Sequence, residues 1–488
     1  MQSDDTMGWL PARWALALMG CLGCMNIYMV RINLSLAVVA MVKSGNTTSQ
    51  DVQAQCLADN TDNEWENSSQ PLTQHKAVNE IQEGEFEWSE TMQGVLIGSF
   101  YYGYLVMQVI GGRLSEKYGS KWIFGLCVMS GGLFALVTPI AARTHYGAVV
   151  AVRVLQGLFQ GVAFPSVMAL LPRWVVPNER ARFISIVTIG IPFGVLVGMP
   201  LCGWVIDEYG WPFAFYVTGF LSLVWCVMWF SLMYDDPQYH PRISDTELEH
   251  IQRGCQEGGS GGAPKSVPWL AILKSPTFWA LLIVSMGNEY GFTVYMTAIP
   301  TYLKNILGFS MKQNGFIAAL PMLINMITGL SLSFFSDWLL TNGHLSLNTT
   351  RKLFQGIASF GIAGTMAVIG FSGCHPLLAV GLLCLGQIFK GFDVAGPNKS
   401  EFAPNFTGTI WGIINCSATV ISFLVPLVNG IITDGEQTIY AWRKVFLINV
   451  PVYLVAIVIF LIFYTTDIQS WNYENAKDKE KKRDNPSV

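Results

Sequence analysis

Two arginines lie inside apolar stretches that are otherwise long enough to cross a bilayer. Arg31 falls within the stretch Trp14–Val42, and Arg153 falls within the stretch Tyr146–Leu171. A guanidinium stays protonated, so each must meet an anion, a polar partner or water. Placing one at bilayer depth costs about 2.5–3.5 kcal/mol even on the mildest insertion scale. The pair therefore indicates a site that draws an anion into a membrane, and the alternative for each arginine is a fixed structural pair.

Other polar side chains in apolar stretches extend this candidate site. Gln156 and Gln160 follow Arg153 at i+3 and i+7, so the three share one helix face. That face could contact a substrate or bond a neighbouring helix. Three tyrosines nearer the N-terminus could hydrogen-bond a substrate or pack against other rings: Tyr101, Tyr102 and Tyr104. We name Tyr102 as the substrate contact among them.

Three charged residues in the second half of the chain are candidates for carrying a proton or binding a sodium ion. Glu289 lies near the centre of an apolar stretch, where a carboxylate is expected to take a proton, a cation or a salt bridge. Lys390 and Asp393 lie at i,i+3 in another stretch, so they could neutralise each other or contact a ligand. The CxxC pair at Cys21 and Cys24 lies inside an apolar helix without further ligands, so we expect no metal site and no other cofactor.

The composition is that of a helical membrane protein. Hydrophobic residues make up 51% of the 488 and charged residues only 13%, against about 25% charged in soluble domains. Apolar runs of membrane-spanning length recur along the whole chain. The first run is preceded by Asp4 and Asp5 and is too long for a signal peptide, so we predict a retained first helix.

The apolar runs predict an all-α fold with twelve transmembrane helices, at 13–42, 91–113, 121–142, 146–172, 183–208, 211–234, 277–303, 313–340, 352–373, 375–397, 407–432 and 441–466. They divide the chain into four parts. These are an N-terminal six-helix bundle (1–234), a linker loop (235–274), a C-terminal six-helix bundle (275–466) and a disordered tail (467–488).

The distribution of Lys and Arg predicts the orientation. Most of them fall in segments on the same side as the linker loop, so we place that side and both termini in the cytoplasm. The polar loop 43–90 then lies on the other side, where its sequons at Asn46 and Asn67 can be glycosylated. Cys56 and Cys374 fall on that side too, where a disulfide between them is one alternative to two free thiols.

The two halves of the chain resemble each other. Gly112–Lys121 follows the second predicted span and Ser333–Asp337 follows the eighth. Pro200–Phe215 and Pro426–Phe446, around the ends of the fifth and eleventh spans, repeat the order Pro, Gly, Asp, Trp, Phe. These offsets predict a six-plus-six duplication, with two pseudo-symmetric bundles related by an axis along the membrane normal.

The Gly112–Lys121 segment resembles the GxLaDRxGRK loop of the major facilitator superfamily, with Glu116 in place of Asp. That resemblance implies a gating loop whose salt bridges hold the outward-facing state, formed by Gly112, Glu116, Lys117, Gly119, Lys121 and, in the second half, Asp337. Five further segments together are similar to the anion/cation symporter family: Arg31–Ala37, Gly98–Tyr104, Arg153–Pro165, Tyr234–Pro237 and Pro300–Leu303. This family contains sialin, the vesicular glutamate transporters and the type I sodium–phosphate cotransporters. The resemblance runs from about residue 13 to 471 and is greatest to the inorganic phosphate cotransporter members.

Some positions depart from that family pattern. Sialin and the vesicular glutamate transporters carry a proton-coupling glutamate in the fourth span, where this chain has Gln160. The glutamate transporters also have a histidine where Ile97 stands and an arginine near Asn288. These differences favour sodium over a proton as the coupling ion, although Glu289 or Asp393 could carry a proton instead.

The resemblance implies a secondary active transporter of organic or inorganic anions, of the phosphate or carboxylate class. It would work as a cation-coupled symporter by rocker-switch alternating access. The alternatives are a proton-coupled, sialin-like exporter, a non-transporting sensor on the same scaffold, and a membrane-embedded enzyme, for which the residues show no convergent catalytic groups. We expect a small anion and the lipid bilayer as partners, no nucleic acid, and function as a monomer. The membrane would be the plasma membrane or an endo-lysosomal or vesicular one.

Overall fold

The computed structural model describes residues 11–43, 84–176, 179–257, 267–373, 375–397, 401–403, 406–435 and 437–472. Seventeen α-helices follow one another along them: α1 Ala12–Met41, α2 Glu90–Tyr118, α3 Ser120–Thr144, α4 Tyr146–Gln160, α5 Ala163–Trp174, α6 Arg180–Thr188, α7 Gly190–Tyr209, α8 Trp211–Leu232, α9 Asp245–Glu257, α10 Trp269–Lys274, α11 Pro276–Thr297, α12 Ile299–Asn305, α13 Met311–Thr341, α14 Leu347–Ile369, α15 Pro376–Val394, α16 Thr407–Thr433 and α17 Ile439–Phe463. The sequons at Asn46 and Asn67, and both Cys56 and Cys374, lie outside these residues.

Ten helical segments of the described chain are long and apolar enough to cross a membrane. Their ends agree with those of predicted spans within a few residues. Ala12–Met41, for example, corresponds to the predicted 13–42. The predicted second and seventh spans are helical as well, in α2 and α11, but do not belong to the ten. Helix α11 carries polar residues such as Asn288 and Glu289, which lower its mean hydropathy.

The predicted fourth, fifth and seventh spans are each interrupted. α4 and α5 are separated by Gly161 and Val162, α6 and α7 by Ile189, and α11 and α12 by Ala298. The interrupting residues keep helical backbone angles, so each span continues in nearly the same direction. Pro300, two residues into α12, cannot donate to the preceding turn and so accounts for the break before it.

Two faces of the molecule can be named from contacts. The linker face carries the start of α1 and the helix α9, since Glu247 accepts hydrogen bonds from the backbone N–H groups of Ala12 (3.0 Å) and Arg13 (3.1 Å). The opposite face carries the end of α1, where Val42 forms an isolated β-bridge with Phe86. In the predicted orientation the linker face is cytoplasmic.

The N- and C-terminal halves make backbone contact near the opposite face. A Cβ atom at Gly315 of α13 would lie 2.5 Å from the carbonyl oxygen of Met199 in α7, and one at Gly203 would lie 2.9 Å from the Cα of Gly315. Only glycine permits helices to approach this closely. At the same face Thr91 donates to Asp434 (2.8 Å), and Glu90 accepts from Gln437 (3.3 Å). The two halves therefore close this face against each other.

The segment predicted as a linker loop contains helical structure and packs on the N-terminal half. Besides the contacts of Glu247 with α1, Arg13 pairs with Glu179 at 2.6 Å, which joins the starts of α1 and α6. His240 meets the rings of Trp174 (5.6 Å) and Tyr234 (5.3 Å) edge to face, and burial lowers the pKa of its imidazole. The first part of the linker thus belongs to the N-terminal bundle.

The predicted gating loop lies between α2 and α3. The Asp235 carboxylate accepts a hydrogen bond from the backbone N–H of Lys121 (2.8 Å) and lies against Gly119, and the Lys121 ammonium lies 4.6 Å from the ring centre of Tyr234. Asp337 is exposed near the end of α13. The side chains of Glu116 and Lys117 lie outside the description, so their salt bridges and the gating role of Gly112 stay predictions.

A largely buried ion pair joins the linker-face ends of the C-terminal helices. Arg351 of α14 pairs with Glu401 at 2.7 Å and donates to the carbonyl oxygen of Ala395 (2.8 Å), while Tyr464 donates to Glu401 (3.2 Å). The two charged side chains are only 15% and 13% exposed. No local sequence pattern indicates this pair, because the two residues lie 50 positions apart in the chain.

We expect Glu401→Ala to lower the free energy of unfolding by about 3 kcal/mol, since it leaves the Arg351 guanidinium buried without its carboxylate. Thermal unfolding of the purified protein in detergent measures the change. The matched control is Glu249→Ala, which removes an exposed pair with Arg253 and should change stability by less than about 0.5 kcal/mol. Equal melting temperatures for the two variants would contradict the prediction.

The chain remains packed beyond the predicted start of a disordered tail at 467. The backbone N–H of Gln469 donates to the carbonyl oxygen of Phe402 (2.9 Å), and Trp471 packs near Phe402 and Phe406 with ring centres 6.3 and 6.0 Å away. The predicted boundary is therefore too early by at least six residues, to Asn472.

Candidate functional site

A cavity of about 100 Å³ lies between the two halves. The N-terminal half contributes two cations and several aromatic rings, and the C-terminal half contributes a carboxylate and hydroxyl groups. The residues that carry its polar and aromatic chemistry are Tyr28, Arg31, Phe100, Tyr101, Tyr104 and Arg153 on one side and Glu289, Thr297, Asn415, Thr419 and Ser422 on the other. Both arginines singled out from the sequence are therefore in one cavity.

Arg31 is surrounded by four aromatic rings. Its guanidinium carbon lies 4.6 Å from the ring centre of Phe100, 4.7 Å from Tyr104, 4.9 Å from Tyr101 and 5.2 Å from Tyr28. Ring faces attract a cation without neutralising it. In the described part of the chain no carboxylate comes within 4 Å of this guanidinium, which lines the cavity opposite Glu289.

Arg153 is held much more tightly than Arg31. It is 2% exposed, its Nη1 donates to Gln156 Oε1 at 2.7 Å, and its Nη2 donates to the backbone carbonyl of Arg31 at 3.3 Å. The first bond lies within α4, and the second holds α4 against α1 beside the Arg31 side chain. Arg153 thus adds positive charge to the cavity wall and positions Arg31, again without a carboxylate partner among the residues that the structure describes.

Glycines bring the aromatic rings to Arg31. A Cβ atom at Gly157 of α4 would clash with the carbonyl oxygen of Phe100 in α2, and one at Gly103 of α2 would clash with the carbonyl oxygen of Val154. The two backbones are in direct contact only because both positions lack a side chain. This contact sets the rotation of α2 and points Phe100, Tyr101 and Tyr104 into the cavity.

Three predicted substrate contacts are absent from the cavity lining. Tyr102 is 40% exposed and packs against Phe423 with ring centres 5.1 Å apart. Gln156 donates to the carbonyl oxygen of Gly131 in α3 (3.3 Å), and Gln160 lies against the same glycine with a side chain that is 1% exposed. The two glutamines therefore face α3 inside the N-terminal bundle.

The spacing of residues along α2 could have distinguished the tyrosines that line the cavity from Tyr102, which does not. Ile97, Tyr101 and Tyr104 follow one another at i, i+4 and i+7 and all line the cavity. Tyr102 is one residue later than Tyr101 and lies about 100° around the helix, which places it on another face.

Glu289 is the carboxylate of the cavity. One of its oxygens accepts a hydrogen bond from the Ser422 hydroxyl at 2.6 Å, and the Thr293 hydroxyl donates to Ser422 at 3.4 Å. Within the described residues its ion-pair distance to any cation exceeds 4 Å. Ser422 was not singled out from the sequence, because a serine in an apolar helix carries no distinctive pattern.

Lys390 and Asp393 neutralise each other behind this wall. The Lys390 ammonium donates to one oxygen of Asp393 at 2.8 Å, and the amide of Asn288 donates to the other oxygen at 2.6 Å. Both oxygens of Asp393 are thus occupied. Of the two carboxylates placed deep in the helices described, Glu289 is the one that faces the cavity.

The donor set offers no metal centre. Among the residues that the structure describes, no group of three or more His, Cys, Asp or Glu side chains could hold a metal ion. Cys21 and Cys24 are free cysteines there. What the cavity can do chemically is hold an anion against two guanidiniums.

Comparison with known proteins agrees with the fold. The family model of the Major Facilitator Superfamily matches residues 16–397. A Drosophila melanogaster protein named "Putative inorganic phosphate cotransporter" is 34% identical over 96% of this chain and 88% of its own length. Human sialin is 33% identical over 94% and 90%, and bovine vesicular glutamate transporter 1 is 28% identical over 98% and 81%.

Solved structures share the fold at low sequence identity. A bacterial homologue of the human lysosomal transporter Spinster, in an inward-facing and occupied conformation, aligns with a TM-score of 0.66 at 13% identity, covering 95% of this chain and 100% of its own. A D-xylose–proton symporter aligns with a TM-score of 0.62 at 14% identity, covering 94% and 99%. The predicted all-α membrane fold is confirmed, and the relatives are transporters rather than enzymes. The chain belongs to the major facilitator superfamily, in the family that contains sialin, the vesicular glutamate transporters and the inorganic phosphate cotransporters.

Proposed function

We propose that this protein is a secondary active transporter of small anions, with the substrate bound in the cavity between its two halves. The observation that carries the proposal is the pair of guanidiniums, Arg31 and Arg153, that line this cavity without a carboxylate partner in the described chain. An unpaired cation inside a membrane is costly unless a counter-ion visits it. A substrate anion supplies that counter-ion.

The two arginines have different roles in this proposal. Arg31 contacts the substrate, because its guanidinium lines the cavity against neutral tyrosine and phenylalanine side chains, with a hydrogen bond to Tyr104 and no ion pair within 4 Å in the described chain. Arg153 is a positioning residue that also contributes charge, since two of its donors are already occupied. Gln156 and Gln160 pack against α3 and do not contact the substrate. Tyr101 and Tyr104, rather than Tyr102, are the tyrosines that contact it.

Alternating access follows from how the halves meet. Their glycine contacts and the bonds of Thr91 and Glu90 close the opposite face, so exchange of substrate across that face requires the two halves to separate there. A rocker-switch motion of two rigid bundles about the cavity provides this separation. The linker segment up to Glu257 moves with the N-terminal half, to which it is bonded.

Coupling to a cation involves the C-terminal half. Asp393 and Lys390 satisfy each other, which leaves Glu289 as the group able to take up sodium or a proton beside the anion. Sodium agrees with Gln160, which cannot titrate, and a proton is the alternative coupling ion. The relatives named above include vesicular and lysosomal types, so the membrane is an endo-lysosomal, vesicular or plasma membrane, with both termini cytoplasmic.

Flux into proteoliposomes tests the function. Purified protein is reconstituted and offered radiolabelled phosphate, urate, glutamate and sialate while sodium, proton and voltage gradients are imposed one at a time. We expect accumulation of at least one anion that requires one cation gradient. The absence of flux for every anion and gradient would instead favour a non-transporting sensor on the same scaffold.

A further inference from the structure

The cavity is polarised between the two halves. The N-terminal wall provides the two cations, together with aromatic rings and hydroxyl groups, whereas the C-terminal wall provides the carboxylate of the cavity. Glu289 is that carboxylate, and its second oxygen has no donor among the described residues. A substrate that fills the space between these walls therefore meets positive charge at one end and an unsatisfied acceptor at the other.

We propose that the transported substrate is an organic anion carrying a hydroxyl or amino donor several bonds from its acidic group, and that Glu289 recognises this donor. The inference rests on the proposed transport function and adds the chemistry at the second end of the site. Glu289 then determines specificity among anions of equal charge.

The lining argues against a small, highly hydrated anion such as inorganic phosphate. Ile32, Phe292 and Met296 place apolar surface between the two polar ends. The Glu289 carboxylate repels a second negative charge. A longer organic anion with a single acidic group avoids both conflicts.

Ser422 orients the Glu289 carboxylate, so that one defined oxygen remains to accept a hydrogen bond from a ligand. Its hydroxyl donates to one oxygen of Glu289 at 2.6 Å, which holds the carboxylate against α16 and leaves the other oxygen for a ligand. Thr293 supports Ser422 from within α11. A donor bonded to a carboxylate is worth about 1.5–3 kcal/mol, which corresponds to at least about tenfold discrimination.

Recognition from both halves has a consequence for transport. An anion that only contacts Arg31 binds one half, whereas an anion that also reaches Glu289 joins α1 to α11. Only interactions that differ between two conformations can shift their equilibrium. A bridging ligand therefore favours closure of the halves around it, and an anion without the donor should bind yet fail to be carried across.

Matched carboxylates test this inference. Unsubstituted straight-chain monocarboxylates are compared with the same chains bearing a terminal hydroxyl or amino group, over a series of chain lengths. Radiolabelled exchange between proteoliposome interior and medium, at equal pH and equal sodium on both sides, measures transport without a coupling gradient. Ligand-induced thermal stabilisation of the purified protein measures binding separately.

For the wild-type protein we expect exchange of the donor-bearing compounds to be at least about tenfold faster at the best chain length, while the unsubstituted compounds still stabilise the protein. Glu289→Gln should remove the preference for the amino compound and reduce that for the hydroxyl compound. Ser422→Ala should reduce both to a smaller extent. Glu208→Gln, at an exposed position of α7, is the matched control and should keep the wild-type preference.

Two results would overturn the inference while leaving anion transport intact. One is equal exchange of substituted and unsubstituted carboxylates, or faster exchange of inorganic phosphate than of any of them. The other is an unchanged donor preference in a folded Glu289→Gln protein. If no anion is exchanged under any condition, the transport function itself fails, and the inference falls with it.

Discussion

Arg31→Ala is expected to lower anion uptake by at least about 100-fold, because it removes the guanidinium that the four rings around it leave free for the substrate. Two charge-assisted hydrogen bonds of about 1.5 kcal/mol each account for this factor. Uptake of a radiolabelled substrate into proteoliposomes measures the loss. The protein should still fold, because no ion pair of the described chain depends on Arg31.

Comparison with two further variants separates charge from geometry. Arg31→Lys keeps the charge but not the planar pair of donors, so we expect it to recover only a small part of the activity. Arg153→Ala should also reduce uptake strongly, since it frees the backbone of Arg31 and leaves Gln156 without its partner. Arg182→Ala, which removes a cation over Trp14 at an exposed position, is the control. Normal uptake by the Arg31→Ala protein would exclude Arg31 from the site.

Gly315→Leu is expected to abolish transport while preserving substrate binding. The new side chain would meet the carbonyl oxygen of Met199 and the Cα of Gly203, so α7 and α13 could no longer close the opposite face. Helix α13 itself should not be weakened, because leucine has a helix propensity about 1 kcal/mol better than glycine. The variant should therefore accumulate with that face open.

Labelling measures this change directly. In a cysteine-free background, Ser35→Cys places a thiol in the cavity wall, and a membrane-impermeant reagent is added on the side of the 43–90 loop. Labelling should be faster with Gly315→Leu than without it. Gly364→Leu is the matched control, because a Cβ atom at Gly364 meets nothing within 4 Å. Wild-type uptake and labelling in Gly315→Leu would show that this contact is not part of the gate.

Much of the fold could be read from the sequence, because membrane insertion is a local property of composition. Apolar length predicts the helices within a few residues, and Arg31 and Arg153 stand out since charge is rare in such segments. Their placement at one cavity is a property of the tertiary structure. The cases of Tyr102, Gln156 and Gln160 show the limit of this reasoning, since helical spacing places residues on a face without saying which face meets the cavity.

Sequence alone determined that this chain is a bundle of apolar helices with positive charge inside two of them, because the free energy of burial depends on residue type and segment length. Only the tertiary structure decided which groups meet. The pairs Glu289–Ser422 and Arg351–Glu401 join residues 133 and 50 positions apart, and the ring cluster around Arg31 depends on the contact of Gly103 and Gly157 between α2 and α4. Helix rotation and close approach arise from packing between distant segments, and no local pattern in the chain records them.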